Sequence, residues 1–117
     1  MIPADQMVGY SLHLNLYNCD GGVLKNDKLL RLYAREVCNY MELVRHGETI
    51  IEHSTGHPGY TLVQLLETSS LTAHFAEEMR SAYIDLFSFS NFNVDEFIRF
   101  TKEFFRATHT RHKLLYR

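Results

Sequence analysis

A strict alternation of apolar and polar residues over positions 10–17 is the first clear pattern in the chain. Leu12, Leu14 and Leu16 fall on one side of an extended backbone, and the residues between them are polar. This period of two predicts a β-strand with one buried face. Positions 18–22 are rich in Asn, Asp and Gly, and we expect a turn there that ends the strand.

The next pattern has the three-to-four-residue spacing of an amphipathic helix. Asn26 is a suitable N-cap, and Arg31 and Arg35 fall on the polar side. We predict a first helix over residues 26–41. Its apolar face contains Leu29, Leu30, Leu32, Tyr33, Val37 and Met41.

The middle of the chain contains short apolar runs that predict strands. Residues 43–53 fit a strand or a short hairpin, and segment 54–59, with its Gly and Pro residues, fits a loop. Further strands are predicted over residues 60–67, 70–75 and 82–89, with a polar connection at 77–80.

A second helix is predicted to start after Asn93, because Glu96 three residues later completes an Asn form of the capping box. Residues 108–113 are basic and polar, and we expect a solvated tail there. The last residues, 114–116, either dock on the domain or fray. The apolar stripe of the helix consists of Phe97, Ile98, Phe100, Phe104 and Phe105.

The order of strand, helix, strands and helix predicts an α/β (α+β) fold, a two-layer sandwich in which helices cover one face of an antiparallel sheet. No repeat or linker divides the 117 residues, so we expect a single domain over residues 1–117. The other sheet face needs either water or a partner. A symmetric homodimer is the simplest way to cover an apolar face of that kind.

Composition and charge exclude several classes of protein. The formal net charge is -2, so a broad basic surface for nucleic acid is not expected. No apolar run reaches the roughly 18 to 20 residues of a membrane span, and residues 1–5 lack the features of a signal peptide. Cys19 and Cys38 are too few for a disulfide scaffold or a zinc site, and His53 and His57 lack a third ligand. We therefore expect a cytoplasmic protein without a bound metal.

Two segments are more specific, residues 67–74 (ETSSLTAH) and residues 82–87 (AYIDLF). Together they resemble the self-processing segment of bacterial S-adenosylmethionine decarboxylases, in which a Ser lies five residues before a His and an Ala-x-x-Asp-x-Phe strand follows. Residues 9–20 also resemble the first strand of that family. His53 and Gly59 fall at matching intervals before the Ser.

The resemblance implies that the protein makes a pyruvoyl group from its own backbone. By position, Ser69 is the nucleophile that attacks the carbonyl carbon of Thr68 and converts the amide into an ester. Elimination then splits the chain between Thr68 and Ser69, and hydrolysis leaves a ketone at the new N-terminus. The ketone binds the substrate amine and accepts the electrons released with carbon dioxide, so the pyruvoyl group is the only cofactor implied.

Three further positions match functional residues of the family. His74 corresponds to the processing His, and an imidazole is suited to proton transfer during ester formation and elimination. Thr61 stands where the family has a Ser whose hydroxyl assists processing. Glu78 stands where the family has the Glu that holds the substrate ribose.

The sequence departs from the family at the residue that returns a proton to the substrate carbon. This catalytic Cys aligns with Phe89, which has no proton to give. Ser88 and Ser90 lie on either side of Phe89, and a regular strand points them to the opposite face. We expect Tyr83, with Phe89 and Glu78, to contact substrate.

Three interpretations follow. In the first, the chain is a self-processing decarboxylase of polyamine biosynthesis, with Tyr83, His74, Glu78 or water as the acid. Its small cationic substrate is S-adenosylmethionine or, because the family's adenine-stacking aromatic falls near Thr55, a smaller amino acid such as ornithine or arginine. In the second, Ser69 is inert and the protein is an uncut binding or regulatory relative. In the third, the chain is an unrelated dimeric α/β module.

Overall fold

Strand β1, Tyr10–Tyr17, has the bounds that the alternation predicts. The computed structural model describes residues 8–117, so the prediction about a signal peptide in residues 1–5 lies outside the described residues. Leu12, Leu14 and Leu16 are fully buried beneath the helices. The period-two pattern therefore predicts both the strand and its buried face correctly.

The helices begin at side-chain caps. Asp20 accepts hydrogen bonds from two backbone N–H groups and starts a short helix, α1, Gly21–Leu24, where the sequence predicts only a turn. The Asn26 side chain accepts from the Leu29 N–H at 3.2 Å. This cap starts α2, Asp27–Tyr40, which confirms the first predicted helix to within a residue at each end.

The second predicted helix is α3, Val94–Phe105, which starts after Asn93 as expected. Asn93 Oδ1 accepts from the Glu96 N–H at 3.0 Å, which is one half of the capping box. The Glu96 carboxylate binds Tyr40 and Arg99 instead of turning back to the cap. This carboxylate therefore links α3 to the end of α2.

Five further strands follow β1 in the part of the chain that the structure describes: β2, Ile50–Ser54; β3, Gly59–Leu65; β4, Ser69–Ala76; β5, Ser81–Ser88; and β6, His109–Tyr116. Only the last part of the predicted segment 43–53 is a strand, because Gly47 has a φ of 82° and interrupts the extended backbone. These strands and β1 form one antiparallel sheet in the order β2-β3-β4-β5-β1-β6.

Strand β6 corrects the expectation of a solvated tail. It pairs with β1 along its full length, from Tyr17 opposite His109 to Tyr10 opposite Tyr116. Arg106 ends α3 with a φ of 54°, and this left-handed conformation reverses the chain toward the sheet. The basic residues on which the prediction of a tail depends are also typical of an edge strand, because charged side chains at a sheet edge oppose pairing with another strand.

The core lies between the sheet and helices α2 and α3, as the two-layer prediction requires. Tyr33 is fully buried at its centre, and its ring packs edge-on against Phe105 with centroids 4.8 Å apart. The Tyr33 hydroxyl and the Thr101 hydroxyl are 2.7 Å apart and form a hydrogen bond. Burial raises the pKa of Tyr33 well above its usual range, so the phenol stays neutral.

The open face of the sheet is more polar than the expected apolar surface. His13 and Asp85 lie opposite each other, with 2.8 Å between Nδ1 and Oδ1. Exposed apolar residues occur there as well, including Ile50 and Leu65. The difference arises because the outward positions of the central strands β1, β4 and β5 carry many polar side chains.

No helix of the described residues is long and apolar enough to cross a membrane.

Gly59 starts β3 where the backbone of β4 passes very close. A Cβ at this position would lie 1.9 Å from the Phe75 carbonyl oxygen. We predict that Gly59→Ala lowers the free energy of unfolding by about 1 to 3 kcal/mol or more, because the two strands must separate. Urea denaturation measures this, with Gly56→Ala as control since a Cβ there meets nothing within 4 Å. Equal midpoints for the two variants would contradict the prediction.

The link between α2 and α3 makes stability depend on pH. Arg99 Nη2 lies 2.6 Å from Glu96 Oε2, and the Tyr40 hydroxyl donates to the same oxygen. These hydrogen bonds, that of Arg99 first, hold the pKa of Glu96 below its usual 4.5. Because the pKa is lower in the folded state, the stabilisation is present above pH 4.5 and is lost as the pH falls through the folded-state value.

We predict that Glu96→Gln makes the stability of the protein depend less on pH in the acid range, since the glutamine cannot take up a proton there. Thermal unfolding midpoints between about pH 5 and pH 3 should fall less steeply for the variant than for the wild type. Glu103→Gln is the matched control, because its carboxylate is 67% exposed and lies 3.4 Å from the same guanidinium. Identical slopes for Glu96→Gln and the wild type would show that this link does not contribute.

Candidate active site

The segment between β3 and β4 places the Thr68–Ser69 peptide at one end of the sheet. Strand β3 ends at Leu65, two residues earlier than predicted, and the Leu66 N–H donates to the Ser69 carbonyl at 3.0 Å. The Glu67 N–H donates to the Val44 carbonyl at 3.1 Å, which fixes the turn to the neighbouring loop. Thr68 is exposed, and Ser69 is the first residue of β4.

Ser69 faces the helix layer. It has the same parity along β4 as Leu71 and Ala73, which are fully buried on that side. Its Cα partner in β5 is Ser88, and the Ser69 hydroxyl donates to Ser88 Oγ at 2.8 Å. The candidate nucleophile is therefore held by a neighbouring side chain.

The carbonyl that precedes Ser69 is also held. The Phe89 N–H donates to the Thr68 carbonyl oxygen at 3.1 Å. A donor in this position polarises the carbonyl and stabilises negative charge that develops on its oxygen. Phe89, which aligns with the catalytic Cys of the family that the sequence resembles, thus contacts the Thr68–Ser69 peptide through its backbone, whereas its side chain is 56% exposed and packs on Phe87.

A cleft of about 610 Å³ opens between this end of the sheet and the helices. Ser69 and Ser88 form part of its wall, and three carboxylates also line it, those of Glu42, Glu67 and Glu96. No lysine or arginine occurs among the described residues that line the cleft. Glu96 is already bonded to Arg99, so Glu42 and Glu67 are the carboxylates through which the cleft favours a positively charged ligand over an anion.

His74 and Thr61 form a pair on the opposite face of the sheet. They are partners in the β3–β4 ladder, and Thr61 Oγ1 lies 3.0 Å from His74 Nδ1 in a hydrogen bond. Tyr83 is the partner of His74 on the other side, and its side chain is also exposed. Three of the candidate residues thus meet in space although the chain separates them.

Ser69 does not meet this pair within one chain. It is five positions before His74 on the same strand, so the two side chains lie on opposite faces. The strand rise places their backbones about 16 Å apart. Glu78 is farther still, because it is exposed in the turn beyond Ala76 at the other end of the strand.

The two cysteines are free and buried. Burial raises the pKa of Cys19 and the pKa of Cys38 to about 11, so both remain neutral thiols at physiological pH. Among residues 8–117, no group of three His, Cys, Asp or Glu side chains is arranged to hold a metal ion.

Comparison with known proteins bears on the geometry at Thr68 and Ser69. The model of the S-adenosylmethionine decarboxylase family matches residues 10–117. The chain belongs to this family. No curated protein sequence matches it. Its fold is similar to the crystal structure of the adenosylmethionine decarboxylase from Aquifex aeolicus VF5, with a TM-score of 0.82, 15% sequence identity and coverage of 95% of this chain and 91% of that chain.

Membership of the S-adenosylmethionine decarboxylase family confirms the resemblance carried by residues 67–87. The fold match confirms the two-layer sandwich. The strand pattern in the sequence does not identify Ser88 as a site residue. It shows that Ser88 points away from Phe89, but it does not show that Ser69 lies on the same face as Ser88. The register of β4 against β5 is the information that reveals the contact.

Proposed function

We propose that this family member cuts itself between Thr68 and Ser69 and then decarboxylates a small cationic amino acid for polyamine biosynthesis. One observation carries the proposal. Hydrogen bonds hold both the attacking hydroxyl and the carbonyl that it attacks: the Ser69 hydroxyl lies 2.8 Å from Ser88 Oγ, and the Thr68 carbonyl oxygen lies 3.1 Å from the Phe89 nitrogen.

The cleavage step follows from these contacts. A bond forms between Ser69 Oγ and the Thr68 carbonyl carbon, the bond from that carbon to the Ser69 nitrogen breaks, and the hydroxyl proton ends on the nitrogen. The Phe89 N–H stabilises the oxygen on which charge develops. Loss of the Ser69 Cα proton then breaks the bond between Cβ and the ester oxygen, which releases the Thr68 carboxylate and leaves a carbon–carbon double bond. This enamine becomes an imine, and water hydrolyses the imine to a ketone and ammonia.

The resulting pyruvoyl group supplies a carbonyl that accepts the electron pair released when the substrate loses carbon dioxide. The residues that take part in forming the pyruvoyl group also surround it at position 69. Ser88 and the cleft that Ser69 lines remain on the helix side. The residues around Ser69 therefore fit such a group.

A homodimer is part of the proposal. The His74–Thr61 pair suits the proton transfers of cleavage, but in one chain it lies on the face opposite Ser69. Two copies that meet through their open faces would place the second pair on the open side as well, so the homodimer is proposed because it covers this face and not because it brings a histidine beside Ser69. The open sheet face, which carries His74 and Tyr83, is the proposed contact between copies.

The cleft supports a cationic substrate, since the carboxylates of Glu42 and Glu67 attract an ammonium, guanidinium or sulfonium group. S-adenosylmethionine, ornithine and arginine all carry such a charge. Thr55, at the position of the adenine-stacking aromatic, is exposed and has no ring. This residue supports the two smaller amino acids as substrates beside S-adenosylmethionine.

We predict that the purified wild type consists of two fragments divided before Ser69, the C-terminal one carrying a ketone that borohydride reduces. Ser69→Ala should abolish cleavage because it removes the attacking oxygen. Intact mass spectrometry measures both results, and circular dichroism checks that the variant is folded.

Ser70→Ala is the matched control, because Ser70 is the adjacent serine but pairs with Phe87 on the open face. Cleavage of Ser70→Ala at the wild-type rate supports Ser69 as the nucleophile. Cleavage that persists in Ser69→Ala contradicts that assignment. A wild-type chain that stays in one piece corresponds to the uncut binding relative and rejects the proposed function.

Phe89→Cys should improve turnover, because it places an acid where the family has one. A proton delivered to the wrong atom inactivates the enzyme. We therefore expect Phe89→Cys to complete at least about ten-fold more turnovers than the wild type before its activity is lost. Release of carbon dioxide from S-adenosylmethionine, ornithine and arginine measures this and identifies the substrate.

Phe89→Ser is the control, since it also removes the exposed ring but supplies no comparable acid. A gain seen equally with Ser and Cys would mean that only the bulk of the ring matters. No gain with Cys would mean that another group already delivers the proton.

A further inference from the structure

The hydroxyl of Ser88 has a defined place in the structure. The side chain is 1% exposed at the last position of β5. Ser88 Oγ accepts one hydrogen bond from the Ser69 hydroxyl at 2.8 Å and a second from the Ser90 N–H at 3.1 Å. Two donors occupy both of its lone pairs, so the oxygen is fixed in place.

We infer that Ser88 is a positioning residue for self-cleavage, an inference that rests on the proposed function. It acts on the attacking oxygen of Ser69 and on no other reacting atom. The Phe89 N–H next to it holds the carbonyl that is attacked. The end of β5 therefore orients both partners of the first bond-forming step.

A free serine side chain moves among three rotamers, and only a suitable one brings Oγ to the preceding carbonyl carbon. The bond to Ser88 selects one position for Oγ. It also draws the hydroxyl proton toward Ser88, which raises electron density on the attacking oxygen. Positioning of this kind accelerates a reaction between two groups that are already adjacent.

Ser88 does not keep the proton. In the step it assists, the Ser69 Oγ–carbon bond forms, the carbon–nitrogen bond breaks, and the proton that leaves Oγ ends on the Ser69 nitrogen. The hydrogen bond from the Ser90 N–H keeps Ser88 Oγ in place while Ser69 changes. Ser88 thus has a role before cleavage and leaves the chemistry of decarboxylation to other groups.

The test compares the cleavage rate of freshly purified precursors. Ser88→Ala should cut about ten-fold or more slowly than the wild type, the effect expected from the loss of one hydrogen bond to a reacting group. Ser88→Thr keeps the hydroxyl and should restore much of the rate. Ser90→Ala keeps the backbone N–H that Ser88 uses and should cut like the wild type.

Hydroxylamine separates the first step from later ones, because it cleaves an ester but leaves the amide intact. Slow Ser88→Ala precursor should resist hydroxylamine, since the amide has not yet shifted to the ester. If the precursor is instead cut by hydroxylamine at Thr68, the ester forms normally and the inference is wrong. Should Ser88→Ala fail to fold, Ser88→Cys, with its weaker acceptor, takes its place in the same comparison.

The two proposals fail in different ways. A folded Ser88→Ala that cuts at the wild-type rate overturns the role of Ser88 and leaves the decarboxylase proposal standing. A wild-type chain that never cuts overturns both. If Ser88→Ala and Ser88→Thr both cut slowly while Ser90→Ala cuts normally, the result also contradicts a role of the Ser88 hydroxyl. The size of the side chain at position 88 would then decide the rate of cleavage.

Discussion

The antiparallel register of β4 against β5 is the constraint on which the candidate site depends. It sets Ser69 opposite Ser88 and brings the Phe89 N–H to the Thr68 carbonyl. Leu71 and Leu86, both fully buried, are partners in the same ladder. A slip of one residue would turn every buried side chain of a strand to the wrong face, so the packing of the core also fixes the geometry of the Thr68–Ser69 peptide.

The same alternation divides the chemistry of the chain between two faces. The helix side holds Ser69 and the acidic cleft, and the open side holds His74 with Thr61. One sheet cannot bring both sets together, because neighbouring positions of a strand point in opposite directions.

Phe89 illustrates how a departure from the family pattern is limited in its effect. The side chain loses the acidic proton of a cysteine, but the backbone N–H still reaches the Thr68 carbonyl. In the proposed reaction, self-cleavage uses the backbone group, and the later return of a proton to the substrate uses the side chain. The substitution therefore bears on turnover far more than on cleavage.

The sequence by itself determined the local features: the first strand, the caps at Asn26 and Asn93, the two long helices and the family to which the chain belongs. These depend on contacts within a few residues or on residue spacing, which the chain order records. The strand at the C-terminus, the polar open face and the contact from Ser69 to Ser88 were decided only by tertiary structure. Each depends on which strand lies beside which, and a basic segment becomes an edge strand only because β1 offers it a free edge.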